Sequence, residues 1–211
     1  MFVAPVDATL GESEWRSFVE AHPFGHLVAR GGPDREFPVV VPTQFVMAAS
    51  TVWLHLVRAN PVFAALAEDP HVVLSVADDW AFVPSEWKAI GTEDPSRGIP
   101  TTYYGAVQLA GMARVHDERV VPGSVAEILR RQLSTFQPDV EVADPAEVHA
   151  AKLIGILGIE IRVSQVLAKF KYGGNVDEAH RRAVVARLNG RGGPGDEAAA
   201  EHLLRRMERE R

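Results

Sequence analysis

The sequence predicts a mainly β fold, a small barrel with helices at the start, middle and end of the chain. Two observations support this prediction. About seven short apolar runs recur with the spacing of hairpins, as in small barrels. Between them lie segments whose apolar residues recur every three or four positions, which is typical of helices. The 211 residues suffice for one domain with a substantial core.

The strands are predicted from runs of apolar and β-branched residues bounded by turn residues. They are expected at Phe24–Arg30, Phe37–Met47, Thr51–Val57, Val72–Ala77, Trp80–Val83, Tyr103–His116 and Ile156–Val166. Residues 84–102 form a long loop between two of them. Loops of that length inside a compact domain tend to be functional or disordered.

Capping residues and helical spacing predict the helices. Ser13 is placed to cap the first helix, and Ser124 with Glu127 forms a capping-box pattern. The glycine-rich segment 189–195 has the composition of a flexible hinge. We therefore expect a domain over residues 1–189, followed by a hinge and a charged C-terminal helix or tail over residues 190–211. The helices are expected at Ser13–Ala21, Val62–Ala67, Ser124–Gln137 and Asp177–Leu188, with a short one after Asp144.

Composition excludes several kinds of site. The chain has no cysteine, which removes disulfides, cysteine-ligated zinc, iron–sulfur clusters, thiolate-ligated haem and a cysteine nucleophile. Lys and Arg number 22 against 28 Asp and Glu, which gives a net charge of −6. Because binding to a phosphate backbone needs clustered positive charge, direct DNA binding is disfavoured.

The hydropathy of the sequence predicts a cytoplasmic protein without a membrane span. The N-terminal residues lack the basic and apolar regions of a secretory signal. No run approaches the ~18 apolar residues of a transmembrane helix. Near the other end, Arg205, Arg206, Arg209 and Arg211 are interspersed with glutamates. That pattern is typical of a solvated helix face.

Residues 55–61, HLVRANP, carry a strand into a helix. A guanidinium and a helix N-terminus both offer N–H donors to an anion. One interpretation is that Arg58 and Asn60 hold a phosphate or carboxylate while His55 faces a ligand. The other is a structural corner with a surface arginine, and the spacing leaves both open.

Two aromatic segments are candidates for a cofactor site. Residues 80–87, WAFVPSEW, hold two tryptophans and a phenylalanine, which either wall a planar cofactor or pack in the core or at an interface. Tyr103 and Tyr104 enter a strand and therefore point to opposite sides. Either one of them is buried while the other faces a site, or both are structural.

Two further segments carry candidate ligands. In residues 169–175, KFKYGGN, Lys169 and Lys171 lie on one side of an extended segment, and the glycines permit a tight turn. The segment is either an anion-binding loop or a solvated strand end. His26 lies in an apolar strand and is either a core residue or a metal ligand.

Taken in order, these segments resemble the PaiB-type family, FMN-binding negative transcriptional regulators with a split-barrel fold. The resemblance implies a split β-barrel with flanking helices and a homodimer whose cofactor sites lie at the subunit interface. It covers residues 2–190 and rests on FVAP near the start, HPFGHLV at 22–28, HLVRANP at 55–61, AFVPSEW at 81–87, IPTTYYGAVQLAG at 99–111 and KFKYGGN at 169–175.

The sequence departs from the family at flavin-contacting positions. PaiB-like proteins usually read V-P-T-W-N-Y where this chain has IPTTYY at 99–104, and K-L-S-Q-N where it has KYGGN at 171–175. The Trp, Asn, Ser and Gln of the family are thus replaced. The scaffold and the corner of His55, Arg58 and Asn60 remain.

One PaiB-like branch of similar size, the piperazate synthases, uses haem b. Resemblance to that branch implies an enzyme that closes N5-hydroxy-L-ornithine to L-piperazic acid by forming an N–N bond with loss of water. The alternative is an FMN-binding regulator or flavin reductase of the same fold. A cofactor-free dimeric interaction module is a third hypothesis.

The haem hypothesis gives each candidate residue a role. His55 is the axial ligand, with His26 as the alternative. Propionates need cationic or N–H donors, the macrocycle needs a flat slot, and the substrate carboxylate needs a hydrogen-bond donor. The cofactor-binding candidates are His55, Arg58, Asn60, Trp87, Lys169, Lys171 and Asn175. The catalytic candidates are Tyr103, Tyr104 and Lys171.

Overall fold

The computed structural model describes residues 1–89 and 94–209. Seven strands in these ranges form one sheet, and every strand pair with a defined register is antiparallel. The strands are β1 (Phe24–Ala29), β2 (Val39–Gln44), β3 (Val46–Ala48), β4 (Thr51–Val57), β5 (His71–Val83), β6 (Thr101–His116) and β7 (Ile156–Lys171). Their order across the sheet is β2-β1-β5-β6-β7-β4-β3. The predicted strand number is confirmed.

Helices stand at the start, middle and end of the chain, as predicted. They are α1 (Glu12–Ala21), α2 (Val62–Glu68), α3 (Ser85–Lys88), α4 (Ser124–Phe136), α5 (Pro145–Val148), α6 (Ala150–Leu153), α7 (Glu178–Arg191) and α8 (Asp196–Arg209). Short 3₁₀ turns occur at Pro5–Asp7 and Pro95–Arg97. In the described ranges, no helix is long and apolar enough to cross a bilayer.

The chain divides into two compact units, each with its own buried centre. The first comprises Met1–Val19 and the described parts of Ala77–Val107 and Leu167–Arg211, and the second comprises Glu20–Val76 and Gln108–Val166. Large fully buried side chains in the first unit are Tyr103, Phe170, Tyr172 and Leu188. Those in the second unit are Leu27, Phe45, Leu54, Leu74, Leu109, Leu153, Ile159 and Ile161.

Several strand boundaries differ from the prediction, and β7 continues past the expected end at Val166 to Lys171. The single strand expected over Phe37–Met47 is split into β2 and β3 at Phe45, whose N–H donates to the Pro23 carbonyl at 3.0 Å. The two strands expected on either side of Asp79 are one continuous strand, β5. Asp79 adopts a left-handed φ of 53°, so the chain distorts there without ending the strand.

The start of α4 also differs from the prediction. The expected capping box of Ser124 and Glu127 is wrong, because the position before the helix is Gly123, with a φ of 85° and no side-chain cap. Instead, the Glu118 carboxylate accepts hydrogen bonds from the N–H groups of Gly123 and Val125. A carboxylate earlier in the chain thus satisfies N–H groups that a helix start leaves unpaired.

The expected loop and tail contain more regular structure than predicted. Within 84–102, α3 and a 3₁₀ turn interrupt the loop, and residues 90–93 lie outside the described residues. Helix α7 continues to Arg191, so part of the expected hinge is helical. The tail forms α8 through Arg209, while Arg211 lies outside the described residues.

Candidate functional site

His55 is held in a fixed orientation by a glutamine on α4. Its Nδ1 lies 2.5 Å from Oε1 of Gln132, and the Gln132 residue is only 5% exposed. An amide oxygen accepts hydrogen bonds, so it favours the tautomer with the proton on Nδ1 and the lone pair on Nε2. Ligating histidines are oriented in this way by a partner on the other ring nitrogen. In this tautomer Nε2 is the ring nitrogen of His55 that carries no proton.

A glycine lets α4 lie this close to the sheet. Gly158 on β7 is the register partner of His55 on β4. A Cβ at Gly158 would lie 2.5 Å from Cδ1 of Ile128 and 3.3 Å from Cβ of His116. A side chain at this position would therefore require the Ile128 side chain of α4 to move.

Arg58 is engaged by a carboxylate of the same unit. Its two terminal nitrogens lie 2.6 and 2.7 Å from the Asp117 oxygens, and its Nε donates to the Ile154 carbonyl at 2.9 Å. The Arg58 hydrogen bonds lower the pKa of Asp117 to about 2. The predicted role of Arg58 in holding an anion stays a prediction for the guanidinium N–H groups that these three contacts leave over.

Asn60 caps the following helix, as the sequence predicted. Its Oδ1 accepts a hydrogen bond from the Val62 N–H at 3.0 Å. The side-chain oxygen is therefore occupied by the backbone. Its predicted role in cofactor binding stays a prediction for the amide nitrogen.

The tyrosine pair divides as expected. Tyr103 is 1% exposed, whereas Tyr104 is half-buried, with its ring centroid 5.7 Å from Lys169 Nζ. Lys169 Nζ also lies 3.3 Å from the Phe2 carbonyl and 3.8 Å from a carboxylate oxygen of Asp7. Tyr104 and Lys169 therefore lie together beside the N-terminal segment.

Lys171 lies near a different group of candidates. Its Nζ donates to Thr101 Oγ1 at 2.6 Å. Two residues further along β6, the Tyr103 hydroxyl is buried and has no hydrogen-bond partner in the described residues. A Cβ at Gly173 would lie 2.6 Å from that hydroxyl oxygen, so only glycine leaves room for it. The structure thus brings Lys171 and Tyr103 to one region of the first unit.

The remaining candidates have varied surroundings. Trp87 on α3 is half-buried. The guanidinium carbon of Arg191 lies over its ring, 4.7 Å from the ring centroid. Trp80 and Phe82 are 56% and 48% exposed, so core packing is the wrong interpretation for these two residues. Asn175 is exposed, and its role stays a prediction.

His26 lies on the exposed face of β1. It is opposite Pro42 of β2 and Ser75 of β5. The interpretation of His26 as a core residue is therefore wrong. Its role as the alternative metal ligand stays a prediction.

Sequence reasoning missed Gln132 and Asp117. Gln132 follows Val125 and Ile128 at helical spacing on the buried face of α4. A polar residue in an apolar stripe is a usable signal, because buried polar side chains require partners. Asp117 gives no such signal, since it simply follows the last residue of β6.

Solved structures similar to this chain share its fold at low sequence identity. A flavocytochrome, Anf3 from Azotobacter vinelandii, has a TM-score of 0.58 at 21% identity, covering 83% of this chain and 74% of that one. The FAD and heme binding protein from Mycobacterium smegmatis has a TM-score of 0.56 at 15% identity, covering 83% and 78%. A conserved hypothetical protein from Mycobacterium tuberculosis has a TM-score of 0.58 at 14% identity, covering 84% and 95%.

Sequence comparison identifies the family. No curated protein sequence matches this chain. The family described as "Putative FMN-binding domain" matches residues 1–165, which is most of the chain. The match agrees with the PaiB-like motifs and with the fold of the similar structures. The chain belongs to this FMN-binding domain family and has its split-barrel fold.

Proposed function

We propose that this protein is a haem-dependent enzyme in which His55 is the axial ligand of the iron. One observation carries the proposal, the contact of 2.5 Å between His55 Nδ1 and Gln132. It leaves the Nε2 lone pair for a metal, and an imidazole is a common proximal ligand of haem iron. A flavin has no comparable need for an oriented imidazole.

The other groups that a haem needs fit in part. Its propionates require cationic or N–H donors, and the candidates in the unit that holds His55 are Arg58 and the amide nitrogen of Asn60. Arg58 fits less well than the sequence suggested, because Asp117 already occupies its guanidinium. The fit therefore depends on His55 for the iron, and on the remaining N–H groups of Arg58 and Asn60 for the carboxylates.

We propose that the reaction is the closure of N5-hydroxy-L-ornithine to L-piperazic acid, which the resemblance to piperazate synthases implies. The N–O bond of the hydroxylamine breaks and a bond forms between the two nitrogens. The hydroxyl leaves with a proton from the α-amine as water, so there is no net oxidation. Bound haem supplies a Lewis-acidic iron that weakens the N–O bond.

The chain's own residues bind and orient the substrate. The Lys171 ammonium and the Tyr103 hydroxyl are donors for its α-carboxylate, and Tyr104 is the further catalytic candidate. Burial raises the pKa of Tyr103 to about 12. Tyr103 therefore remains a phenol and donates its proton in a hydrogen bond at neutral pH.

Haem titration of the purified protein tests this proposal. We expect a Soret band that saturates at one haem per chain and shifts on addition of N5-hydroxy-L-ornithine, with L-piperazic acid as the product. L-Ornithine is the matched control, since it lacks the N–O bond. Absence of haem uptake by the folded protein would contradict the proposal.

FMN is the second candidate cofactor, and the family match supports it. An FMN-binding regulator or reductase of this fold would bind FMN with quenching of its fluorescence, and it would leave added haem unbound. The same purified protein therefore distinguishes the two candidates.

A further inference from the structure

We propose that a cavity on the outer face of the sheet, the face that carries His26, binds a ligand in which a carboxylate or phosphate group is attached to a flat apolar body. The cavity belongs to the second unit and has a volume of about 540 Å³, which is within the range of small-molecule sites. Its residues take no part in the proposed haem chemistry, so the inference does not depend on that proposal.

The floor of the cavity crosses four adjacent strands, β1, β5, β6 and β7. Val28 of β1 lies opposite Val73 of β5. A backbone hydrogen bond at the start of β5 aligns that strand with β6 and places Ala110 beside Val73. The Ser164 hydroxyl on β7 lies 3.4 Å from the Ala110 carbonyl oxygen. Because neighbouring strands lie about 4.8 Å apart, this mainly apolar floor is about 14 Å long.

The rim of the cavity at β1 and β5 carries a guanidinium and an imidazole that share one carboxylate. Asp69 accepts hydrogen bonds from Arg30 Nη2 at 2.6 Å and from His71 Nδ1 at 2.7 Å. The Asp69 side chain is only 12% exposed, whereas those of Arg30 and His71 are 79% and 70% exposed. The carboxylate therefore faces its protein partners, and the nitrogen-bearing groups face the ligand.

The shared carboxylate keeps this rim in place at neutral pH. Hydrogen bonds from the backbone and ring of His71, and then from Arg30, hold the pKa of Asp69 well below its ordinary value. Asp69 is therefore ionised and acts only as an acceptor. Since it uses His71 Nδ1, the Nε2 of that ring is left for a ligand.

The chemistry of the lining selects the class of ligand. A guanidinium has five N–H groups in a planar arrangement that matches a carboxylate or phosphate, and the contact of Arg30 with Asp69 engages one of its nitrogens. At the far end, Ser164 and Gln165 offer neutral hydrogen-bonding groups. Between the two ends lie half-buried valine and alanine side chains. The cavity therefore fits an anionic group at Arg30 and an apolar body on the floor.

The cavity is separate from the region of His55. A Cβ at Gly158, the register partner of His55, would lie 3.3 Å from Cβ of His116. From Ala110 in the cavity floor to His116, β6 advances about 20 Å at about 3.3 Å per residue. A ligand in the cavity would therefore leave His55 accessible.

Equilibrium dialysis of the full chain without haem tests the inference at constant ionic strength, with phenylacetate and phenyl phosphate as probes. We expect saturable binding of at least one probe. Phenylacetamide, which has the shape of phenylacetate without its charge, should bind about tenfold more weakly. Acetate, which lacks the apolar body, should also bind about tenfold more weakly. Tighter binding of phenylacetate identifies a carboxylate ligand, and tighter binding of phenyl phosphate identifies a phosphorylated one.

Variants locate the binding in this cavity. Arg30→Gln should raise the Kd of the probe about tenfold. Ala110→Leu, which fills part of the floor, should also raise it about tenfold while the variant stays folded by circular dichroism. Arg162→Gln is the matched control, since the Arg162 side chain is 77% exposed and pairs with Glu160 but lies outside the cavity lining.

Two results would overturn the inference. One is that the folded protein binds both anionic probes no more tightly than phenylacetamide. The other is that the Arg30→Gln and Ala110→Leu variants bind as tightly as Arg162→Gln. Neither result bears on haem binding at His55, which the Soret titration measures separately.

Discussion

The chemistry of single residues in this protein depends on partners far away in the chain. His55 was identified from its segment, yet the contact that prepares it comes from Gln132, 77 positions later. For Arg58 the sequence leaves open an anion-binding role or a structural corner, and the ion pair with Asp117, 59 positions later, shows the partner that the segment alone does not reveal. Local spacing predicts which residue types meet a turn or a helix start. It does not contain the contacts that tertiary packing creates.

The orienting role of Gln132 gives a prediction for haem affinity. Gln132→Met keeps an unbranched side chain of similar length but removes the acceptor for Nδ1 of His55. We expect haem binding to weaken about tenfold to a hundredfold, as for other partners of metal-binding histidines. Gln137→Met is the control, because Gln137 is exposed just beyond the same helix. Equal haem affinities in the two variants would disprove the role of Gln132.

At the scale of elements, alternation predicted the strands well because one face of each is buried. Thr51–Val57 has the predicted bounds, and Tyr103–His116 gains only two residues at its start. The strand predictions are wrong where residues outside the strand, or an unusual φ, determine the backbone conformation. The hydrogen bond from the Phe45 N–H to the Pro23 carbonyl lies where β2 ends and β3 begins. Strand β5 continues through Asp79, although that residue has a left-handed φ.

The ion pair that joins the β4–α2 connection to the end of β6 gives a pH-dependent prediction. The pKa of Asp117 in the folded protein is lowered to about 2. The ionised carboxylate therefore contributes its full stabilisation of the folded state at pH values above the unfolded-state pKa of about 4. It is lost as the pH falls towards 2. Asp117→Asn should lower the free energy of unfolding by about 1 kcal/mol at pH 7, since an ionised carboxylate strengthens a hydrogen bond.

Denaturant unfolding across pH 7 to 2 measures this effect. The difference between the Asp117→Asn variant and the unaltered protein should shrink below pH 4. Asp139→Asn, at an exposed position of the same unit, is expected to show little difference at any pH. A constant difference for Asp117→Asn from pH 7 to pH 2 would contradict the assignment.

The C-terminal helix α8 is a packed element of the first unit. Leu203 is fully buried, and Arg206 donates to Glu14 and to the Ala8 carbonyl. Leu203→Ala should therefore destabilise the protein by about 2–5 kcal/mol. Leu204→Ala, at the 37% exposed neighbour, should stay within about 0.5 kcal/mol. If thermal unfolding gives the same loss of stability for Leu203→Ala and Leu204→Ala, then the tail does not pack against the first unit.

At the scale of the whole molecule, the motifs taken in their order along the chain predicted the family, whereas composition only excluded kinds of site. The segments at 22–28, 55–61, 81–87 and 99–111 identified the family, and the family match over residues 1–165 agrees with them. The fold class followed from strand number and helix placement. The cofactor did not follow, because the chain matches an FMN-binding domain yet departs from PaiB-like proteins at 99–104 and 171–175.

We propose that two copies of the chain associate through the outer face of β1 and β2. Phe24 and Val40 are 60% and 52% exposed there, on a face that also carries His26, and apolar patches of this kind mark interaction sites. Light scattering should give the mass of two 23.0 kDa chains. Val40→Glu should yield the monomer, whereas Val148→Glu, at an exposed valine elsewhere in the second unit, should not. A monomeric unaltered protein would contradict this.

The absorption spectrum of the haem-loaded protein, recorded beside those of His55→Ala and His26→Ala, tests the central claim most directly. Ligation by His55 predicts a sharp Soret band in the unaltered protein, the same band in His26→Ala, and its loss or a large shift in His55→Ala. A Soret band that is unchanged in His55→Ala, or absent from the unaltered protein, would contradict the proposal that His55 holds a haem.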